Sequence, residues 1–422
     1  MSGLSYLEKL LDGAEVEWRT LDSVGQFLRG KRFVKSDLIS EGVPCIHYGE
    51  MYTHYGISAE ETKSFLDEGV AEKLRVANHG DVIIVAAGET IEDIGNGTAW
   101  LGKNDVVFHD ACFSFKSELN SKYVSYFLRT NLFKEQIKRG VSSGKISSIN
   151  AKGLGMAEIP IPCPNNPEKS LAIQSEIVGV LDKFTALTAE LTAELTAELS
   201  MRKKQYNHYR DLLLSFEEGE VEWKTLGEMG TLIRGKRFVK TDIIPKGVPC
   251  IHYGEMYTHY SIWANRAKSY ISVELASKLR KASCGDVVFV SAGETIADIG
   301  RGTAWLGDED VVIHDACFFY KSSLNPKYVA YFSRTNFFHD QIKKSISSGK
   351  ISAINAKGFE KVIIPVPSPE EQARIVAFLD KFDTLTSSIT EGLPREIELR
   401  QKQYEYYRDL LFSFPKPETA SN

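Results

Sequence analysis

Cys45-Ile-His-Tyr-Gly-Glu-Met-Tyr-Thr-His-Tyr55 occurs a second time, letter for letter, as Cys250 to Tyr260. Around it the stretch from Trp18 to Pro160 returns as Trp223 to Pro365 at a constant offset of 205 residues. Arg29-Gly-Lys-Arg-Phe-Val-Lys35 becomes Arg234 to Lys240, and Ser142-Ser-Gly-Lys-Ile-Ser147 becomes Ser347 to Ser352. A second unit follows each copy: Leu181-Asp-Lys-Phe184 recurs as Leu379 to Phe382, and Lys204 to Phe216 as Lys402 to Phe414, now 198 residues apart. Two globular modules therefore alternate with two long segments. A chain of this kind suits a partner that is itself two-fold, and the repeats have to be read first.

The long segments read as helices. From Ile173 the apolar residues fall at Ile177, Val180, Phe184, Leu187 and Leu191, alternating steps of four and three, the seam of a coiled coil. Three Thr-Ala-Glu-Leu units then carry the chain from Leu187 to Leu199; leucine every fourth residue drifts around the helix like a stutter. Tyr206, Tyr209, Leu213 and Phe216 resume the stripe. The second segment repeats it at Ile375, Phe378, Phe382, Leu385, Ile389, Leu393, Ile397, Tyr404, Tyr407, Leu411 and Phe414. Pro167 and Pro369 mark the starts. A helix of about 45 residues would span roughly 65–70 Å. Neither can bury its stripe alone, and because a module separates them in sequence, antiparallel pairing is the natural solution; two helices packed on separate domains are the alternative. Gly392 and Pro394 predict a kink in the second.

Each module mixes short β-like runs (Asp81–Val85, Asp105–Phe108, Ala111–Phe115) with a helical stretch from Lys122 to Lys138, an α+β pattern. The expected fold is two pseudo-symmetric α+β modules separated by a long antiparallel two-helix coiled coil. Its boundaries fall at 1–12 for an N-terminal segment, 13–166 for the first module, 167–216 for the central helix, 217–367 for the second module, 368–414 for the C-terminal helix and 415–422 for a flexible tail.

Over 422 residues the hydrophobic fraction is 43%, enough for each module to bury a core. The six cysteines form no Cys-x-x-Cys and include two repeat-related pairs, Cys45/Cys250 and Cys112/Cys317, a pattern of buried thiols in a reducing compartment. No run approaches membrane-spanning length, so a cytoplasmic protein without a membrane partner is expected. Net charge is −5, but it is unevenly spread. Trp18–Pro160 carries 17 Lys and Arg against 18 Asp and Glu, a net −1, whereas Trp223–Pro365 carries 20 against 13, a net +7. The modules should differ in affinity for a polyanion.

The basic loop offers Lys31, Arg32 and Lys35, repeated as Lys236, Arg237 and Lys240, for DNA phosphates, with a plain solvated turn as the alternative. Gly25-x4-Gly30-Lys31 imitates a phosphate loop only superficially, because Arg32 stands where a magnesium-ligating Ser or Thr is needed. Tyr48, Glu50, Tyr52 and His54, with Tyr253, Glu255, Tyr257 and His259, form an aromatic–polar cluster able to reach bases and phosphates, or else a strand with one face exposed. Glu89, Thr90 and Asn96, matched by Glu294, Thr295 and Arg301, read as a polar loop; Lys63 and Lys268 add cations. Ser143 and Lys145, with Ser348 and Lys350, sit in short cationic turns suited to backbone contact. His109 and Cys112, two possible ligands without two more nearby, read as a structural pair and not as a zinc site. No methyl-transfer, nuclease or Ser-His-Asp signature stands out, and no metal or catalytic residue is assigned.

These features together resemble the specificity subunit of type I restriction–modification enzymes: two repeated modules, two repeated helices, the exits Ile159-Pro-Ile-Pro162 and Ile364-Pro-Val-Pro367, the Glu370-Glu-Gln372 helix opening, the Gly80-Asp-Val and Gly285-Asp-Val turns, and the Thr-Ala-Glu-Leu repeat. The first helix departs from the Pro-x-x-Glu-Gln pattern, with Glu168-Lys169-Ser170. The resemblance implies that each module reads one half of a split site on double-stranded DNA and that the helices set the gap. It implies two modification (methyltransferase) subunits and further restriction/translocase subunits as partners. S-adenosylmethionine, ATP and magnesium are then expected on those partners, with no cofactor on this chain. It also places residues up to about Leu11 near the C-terminal helix. The similarity of the modules adds the expectation of a nearly palindromic target. Their main divergence is Gly56–His79 against Ser261–Cys284, where Ser58 becomes Trp263 and Glu60-Glu61 becomes Asn265-Arg266. A stand-alone methyltransferase with fused recognition modules and a two-lobed protein-interaction scaffold are the rival readings.

Overall fold

The computed structural model describes residues 3–142, 144, 146–347, 349, 351–388 and 391–416. It divides into two compact units, residues 1–193 with 397–422, and residues 194–396. Each unit holds one module, part of the first long helix and part of the C-terminal helical segment.

The first module is built on two sheets. A five-stranded sheet has the order Gly25–Arg29, Cys112–Ser117, Val82–Val85, Gly97–Trp100, Ser58–Ala59. Val82–Val85 is buried on both faces, which explains its continuous apolar run; its neighbour Gly97–Trp100 is buried too, with the Thr98 hydroxyl donating to the Gly56 carbonyl at 2.8 Å. A four-stranded sheet has the order Ser64–Leu66, Val43–Ile46, Val106–Phe108, Val76–Ala77. In it Val43–Ile46 and Val106–Phe108 run parallel, with Cys45 opposite Val107 and Ile46 opposite Phe108. The second module repeats both sheets, with Cys250 opposite Val312 and Ile251 opposite Ile313. Entry and exit strands pair as Val16–Thr20 with Glu158–Pro162, and as Glu222–Thr225 with Ile363–Val366. The two prolines of each exit therefore open the route into a long helix.

Two expectations change. The helical stretch from Lys122 to Lys138 is two helices, Ser121–Phe127 and Asn131–Ile137. Thr130 starts the second: its side chain accepts from Phe133 N, so a cap outweighs continuity. Tyr48 to His54 is not a strand; Glu50–Thr53 forms one helical turn, and Glu50 accepts from His47 N at 3.1 Å to start it.

The first long helix runs unbroken from Pro167 to Leu213, through the Thr-Ala-Glu-Leu repeat. The C-terminal segment is two helices, Pro369–Ser387 and Gly392–Leu411. Ser368 caps the former by accepting from Glu371 N at 3.2 Å. Gly392 adopts φ +79°, and a Cβ there would lie 2.5 Å from the Thr384 carbonyl, so the break the glycine suggested is real and needs it. Ile389, expected in the stripe, lies outside the described residues.

Within each unit the helices pair antiparallel. In the first, Phe184 stacks on Tyr407 at 5.4 Å and Thr185 Oγ1 donates to the Tyr404 hydroxyl at 3.1 Å. In the second, Tyr209 packs on Phe382 at 5.8 Å and on Phe378 at 6.2 Å. Repeat by repeat, Phe184–Tyr407 and Phe382–Tyr209 are one contact with the helices exchanging roles. Leu187, expected in the seam, is 51% exposed; Val178 and Leu181 are buried instead, because the seam also serves the module core.

The modules are fastened to the helices by matching bonds. Asn120 N donates to Gln174 Oε1 at 2.9 Å, and Tyr126 OH to Asp182 at 2.8 Å, with Lys122 paired to the same aspartate. Asn325 N donates to Gln372 Oε1 at 2.9 Å, while Tyr331 OH and Lys327 both reach Asp380 at 2.7 Å. At the N-terminus the helix Gly3–Leu11 buries Leu7 in the cluster that holds Leu411 and Phe412, and Tyr6 OH donates to Glu176 at 3.4 Å.

Candidate nucleic-acid interface

The parallel register decides the centre of the site. One residue beyond Ile46 and Phe108, His47 and His109 emerge side by side, their rings 4.8 Å apart. Phe33, from the basic loop, packs edge-on against both, at 5.9 and 5.2 Å. Tyr48 lies against both at 4.6 and 4.9 Å. His47 Nδ1 accepts from Gly49 N at 3.2 Å and His109 Nδ1 accepts from Ala111 N at 3.0 Å, so each neutral ring carries its proton on Nε2. Burial lowers both imidazole pKa values, which keeps the pair neutral at neutral pH. His252, His314, Phe238 and Tyr253 repeat the cluster, with the two histidine rings again 4.8 Å apart.

The basic loop is pinned through backbone contacts. Gly30 N donates to the Cys112 carbonyl at 3.0 Å, and a Cβ at Gly30 would sit 2.2 Å from the His109 carbonyl; only glycine allows so close an approach. Arg29 Nε donates to the Asp110 carbonyl at 3.0 Å, Lys31 Nζ to the Lys73 carbonyl at 2.7 Å, and Arg75 Nη1 to the Arg29 carbonyl at 2.6 Å. In the second module Arg234, Lys236 and Arg280 repeat these bonds. Lys31 and Lys236 thus hold the loop's shape, while Arg32, Lys35, Arg237 and Lys240 stand exposed. Gly25–Arg29 is a strand and the loop after Lys31 leads into a 3-10 turn at Lys35–Asp37 and not into an α-helix, so the phosphate-loop likeness ends at the letters.

Tyr52 links this cluster to two further segments. Its hydroxyl donates to the Ala87 carbonyl at 3.0 Å, and Ala87–Gly88 pairs with Ser147–Ser148 at the base of the cationic turn. Tyr257 repeats the link to Ala292 at 3.3 Å. Basic loop, aromatic cluster, polar loop and the short strand that ends the cationic turn, scattered over about 120 residues, therefore converge in each unit. Ser143, Lys145, Ser348 and Lys350 lie outside the described residues.

Several expected readers have internal partners. Glu50 and Glu255 are buried at 8% and 9% exposure; their carboxylates accept from His47 N and Ser64, and from His252 N and Ser269, so they brace the turn instead of facing a base. Thr90 and Thr295 donate to Asp93 and Asp298. Asn96 Oδ1 accepts from Lys134 Nζ at 2.7 Å; burial pulls that ammonium down to about 7. The second module replaces the pair together: Arg301 stands for Asn96 and bonds Asp298 at 3.2 Å, while His339 stands for Lys134. Glu89, Glu294, His54, His259, Lys63 and Lys268 are exposed. His47, Phe33 and Arg75 were not singled out from sequence; identity across the repeats and a histidine placed directly after an apolar strand run were the available signals. Cys45 and Cys112, with pKa values pushed up to about 12 by burial, are inert thiols. Among the described residues no cluster of three potential metal ligands occurs, and no helix is long and apolar enough to cross a membrane.

The family model for the type I restriction modification DNA specificity domain matches this chain twice, over residues 14–201 and 218–399. The chain belongs to that family. It is 40% identical over 451 residues, covering 100% of both chains, to the type I restriction enzyme EcoR124I/EcoR124II specificity subunit of Escherichia coli. It is 34% identical to the Escherichia coli EcoprrI specificity subunit, covering 93% of each. A putative Haemophilus influenzae specificity subunit is 32% identical, covering 97% of this chain and 98% of the relative. Among solved structures, a chain from work on assembly and conformational transition of the type I R-M system superposes with TM-score 0.67 at 15% identity, covering 94% of this chain and 97% of that one. The HsdS subunit from Thermoanaerobacter tengcongensis gives 0.52 at 16% identity, covering 94% and 96%. These likenesses at low identity establish the shared fold of this specificity family.

Proposed function

We propose that this chain is the DNA-reading subunit of a cytoplasmic type I restriction–modification complex, each module contacting one half of a bipartite, nearly palindromic site in double-stranded DNA. The observation that carries the reading is the convergence in both units of the same exposed arginine and lysine, the same His–Tyr–Phe cluster and the same polar loop. Exposed cations provide phosphate affinity and register; in the cluster beside them the buried Phe33 and His109 form the frame, and the part-exposed His47 and Tyr48 provide donors and flat surface for base edges. The divergent Trp263 supports near-identity of the half-sites: it lies 4.4 Å beneath Lys327, which pairs with helix residue Asp380, so the substitution serves the module–helix junction. The Asn96-to-Arg301 exchange, in contrast, changes the polar loop and is the position at which the half-sites would differ.

Two methyltransferase subunits dock on the helices and supply adenine methylation with S-adenosylmethionine; restriction/translocase subunits supply ATP- and magnesium-dependent movement and cleavage. This chain contributes recognition and spacing. Profiling methylated adenines on random DNA with the assembled methyltransferase tests the reading: two half-sites related by inversion, alike at most positions, are expected. Two unrelated half-sites overturn the palindrome, and DNA binding without salt dependence overturns the interface.

A further inference from the structure

The two units repeat one junction and finish it differently. In the first, the residues after Phe414 fold over Trp18. The indole Nε1 donates to the Pro415 carbonyl at 3.1 Å, Lys416 Nζ lies 4.7 Å from the indole ring, and the same ammonium pairs with Glu158 at 2.9 Å. In the second, the chain after Phe216 turns away: Glu217 N donates to the Glu220 carboxylate at 2.9 Å, Glu220 N returns to the Glu217 carbonyl at 3.2 Å, and the strand Glu222–Thr225 follows. Among the described residues none supplies a carbonyl or a cation to Trp223 as Pro415 and Lys416 do to Trp18; its aromatic neighbour is Phe337, edge-on at 5.6 Å.

What remains beside Trp223 is a cavity of about 580 Å³ lined by Leu214, Phe216, Trp223, Asn336, Phe337 and Ile363. Phe337 is 49% and Ile363 41% exposed, and the Trp223 indole N–H has no acceptor among the described residues. The substitutions are matched in character. Ile363 replaces Glu158, the partner of Lys416, and Phe337 replaces Leu132. The second groove has thus lost the acid that holds a lysine and gained apolar surface, while keeping the indole donor that holds a backbone carbonyl.

We infer that this groove docks an extended, proline-bearing segment of the methyltransferase subunit, with an apolar side chain where the first unit holds Lys416. The inference rests on the proposed function for the identity of the partner. The occupied twin supplies the geometry: a proline carbonyl on the indole N–H and the next side chain across the ring. Extended proline-containing segments fit such grooves because they lose little entropy on binding and present carbonyls outward. The exchange of Glu158 for Ile363 selects against a cation at that next position.

A photo-crosslinking p-benzoylphenylalanine at position 337 of the full chain, assembled with purified methyltransferase subunit and irradiated, tests this. Cross-links to a proline-containing segment of the methyltransferase are expected, and Phe337→Lys should weaken assembly at least tenfold. Phe337 also packs on Trp223 and Phe332, so melting is followed for each variant, and Trp223→Phe, which deletes the indole N–H and narrows the ring surface, should weaken assembly several-fold while the protein stays folded. A complex that assembles normally with a silent probe and unaffected variants overturns the inference alone. Cross-links to a second copy of this chain overturn it in favour of self-association. Failure of wild-type chain and methyltransferase to assemble at all overturns the proposed function first.

Discussion

Gly30→Ala isolates the basic loop from the rest of the chain. The added methyl would stand 2.2 Å from the His109 carbonyl oxygen and 2.5 Å from that of Phe108, both backbone atoms that cannot rotate away. The loop must lift by about 1 Å, a change of the kind that costs about 1–3 kcal/mol in a packed site and leaves a domain folded. Lifting it weakens the Gly30–Cys112 bond and draws Phe33 off the two imidazoles. Arg32 and Lys35 then lose their fixed positions. If these two account for two phosphate contacts, the slope of log K against log salt falls by about 1.8. Between 50 and 200 mM salt that difference amounts to about a tenfold smaller loss of affinity for the variant than for wild type. The assay is duplex binding by the methyltransferase complex over a salt series, with thermal melting to establish folding. Gly235→Ala, whose methyl would meet the His314 carbonyl at 2.3 Å, should act equally on the other half-site. A folded Gly30→Ala protein with an unchanged slope refutes the assignment of the loop to DNA.

Deleting one Thr-Ala-Glu-Leu unit removes about 6 Å of helix, less than two base pairs of rise, so methylation profiling should show the gap shortened by one or two base pairs and the half-sites intact; an altered half-site with the old gap would refute a ruler. Asp380→Ala strands the buried Tyr331 hydroxyl, a loss of about 2 kcal/mol, with the part-exposed lysine pair adding little; calorimetry should show the second unit melting about 4–8 °C lower, and Asp182→Ala should lower the first unit by less, because Tyr126 OH keeps Thr185 Oγ1 at 3.1 Å. His47, His109, His252 and His314 all have pKa values lowered by burial. The unfolded chain therefore binds more protons just below the ordinary histidine pKa, and stability should fall as pH drops from 7 toward 5. Replacing His109 and His314 by Asn should flatten that decline, and equal slopes for variant and wild type would contradict it.

The sequence carried the architecture because its signals were local or repeated. Proline at Pro167 and Pro369, apolar runs at Val82–Val85 and Val106–Phe108, and the duplicated blocks each announce themselves within a short window. The interface was only half legible. Its four segments could be picked out one by one, but their meeting depends on a parallel strand register between residues more than sixty positions apart, which no local pattern encodes. Composition also could not separate Arg32 and Lys35 from Arg29 and Lys31: the letters are alike, but two of the cations are already spent on backbone carbonyls. The reading of Tyr48–His54 as an exposed strand, one of the alternatives, failed because Glu50 folds back to accept the His47 amide, and helix continuity after Lys122 failed at the Thr130 cap.

Each module meets its helices through the same few atoms, Asn120 and Tyr126 in one unit and Asn325 and Tyr331 in the other, received by Gln174 and Asp182 or by Gln372 and Asp380. These sockets say nothing about which bases a module prefers. A gene encoding this chain could therefore exchange one module for a divergent cousin by recombination in the flanking repeats, keep every fastening, and acquire a new address in a single step. A recognition subunit built on such plugs can change what it recognises faster than point mutation would permit.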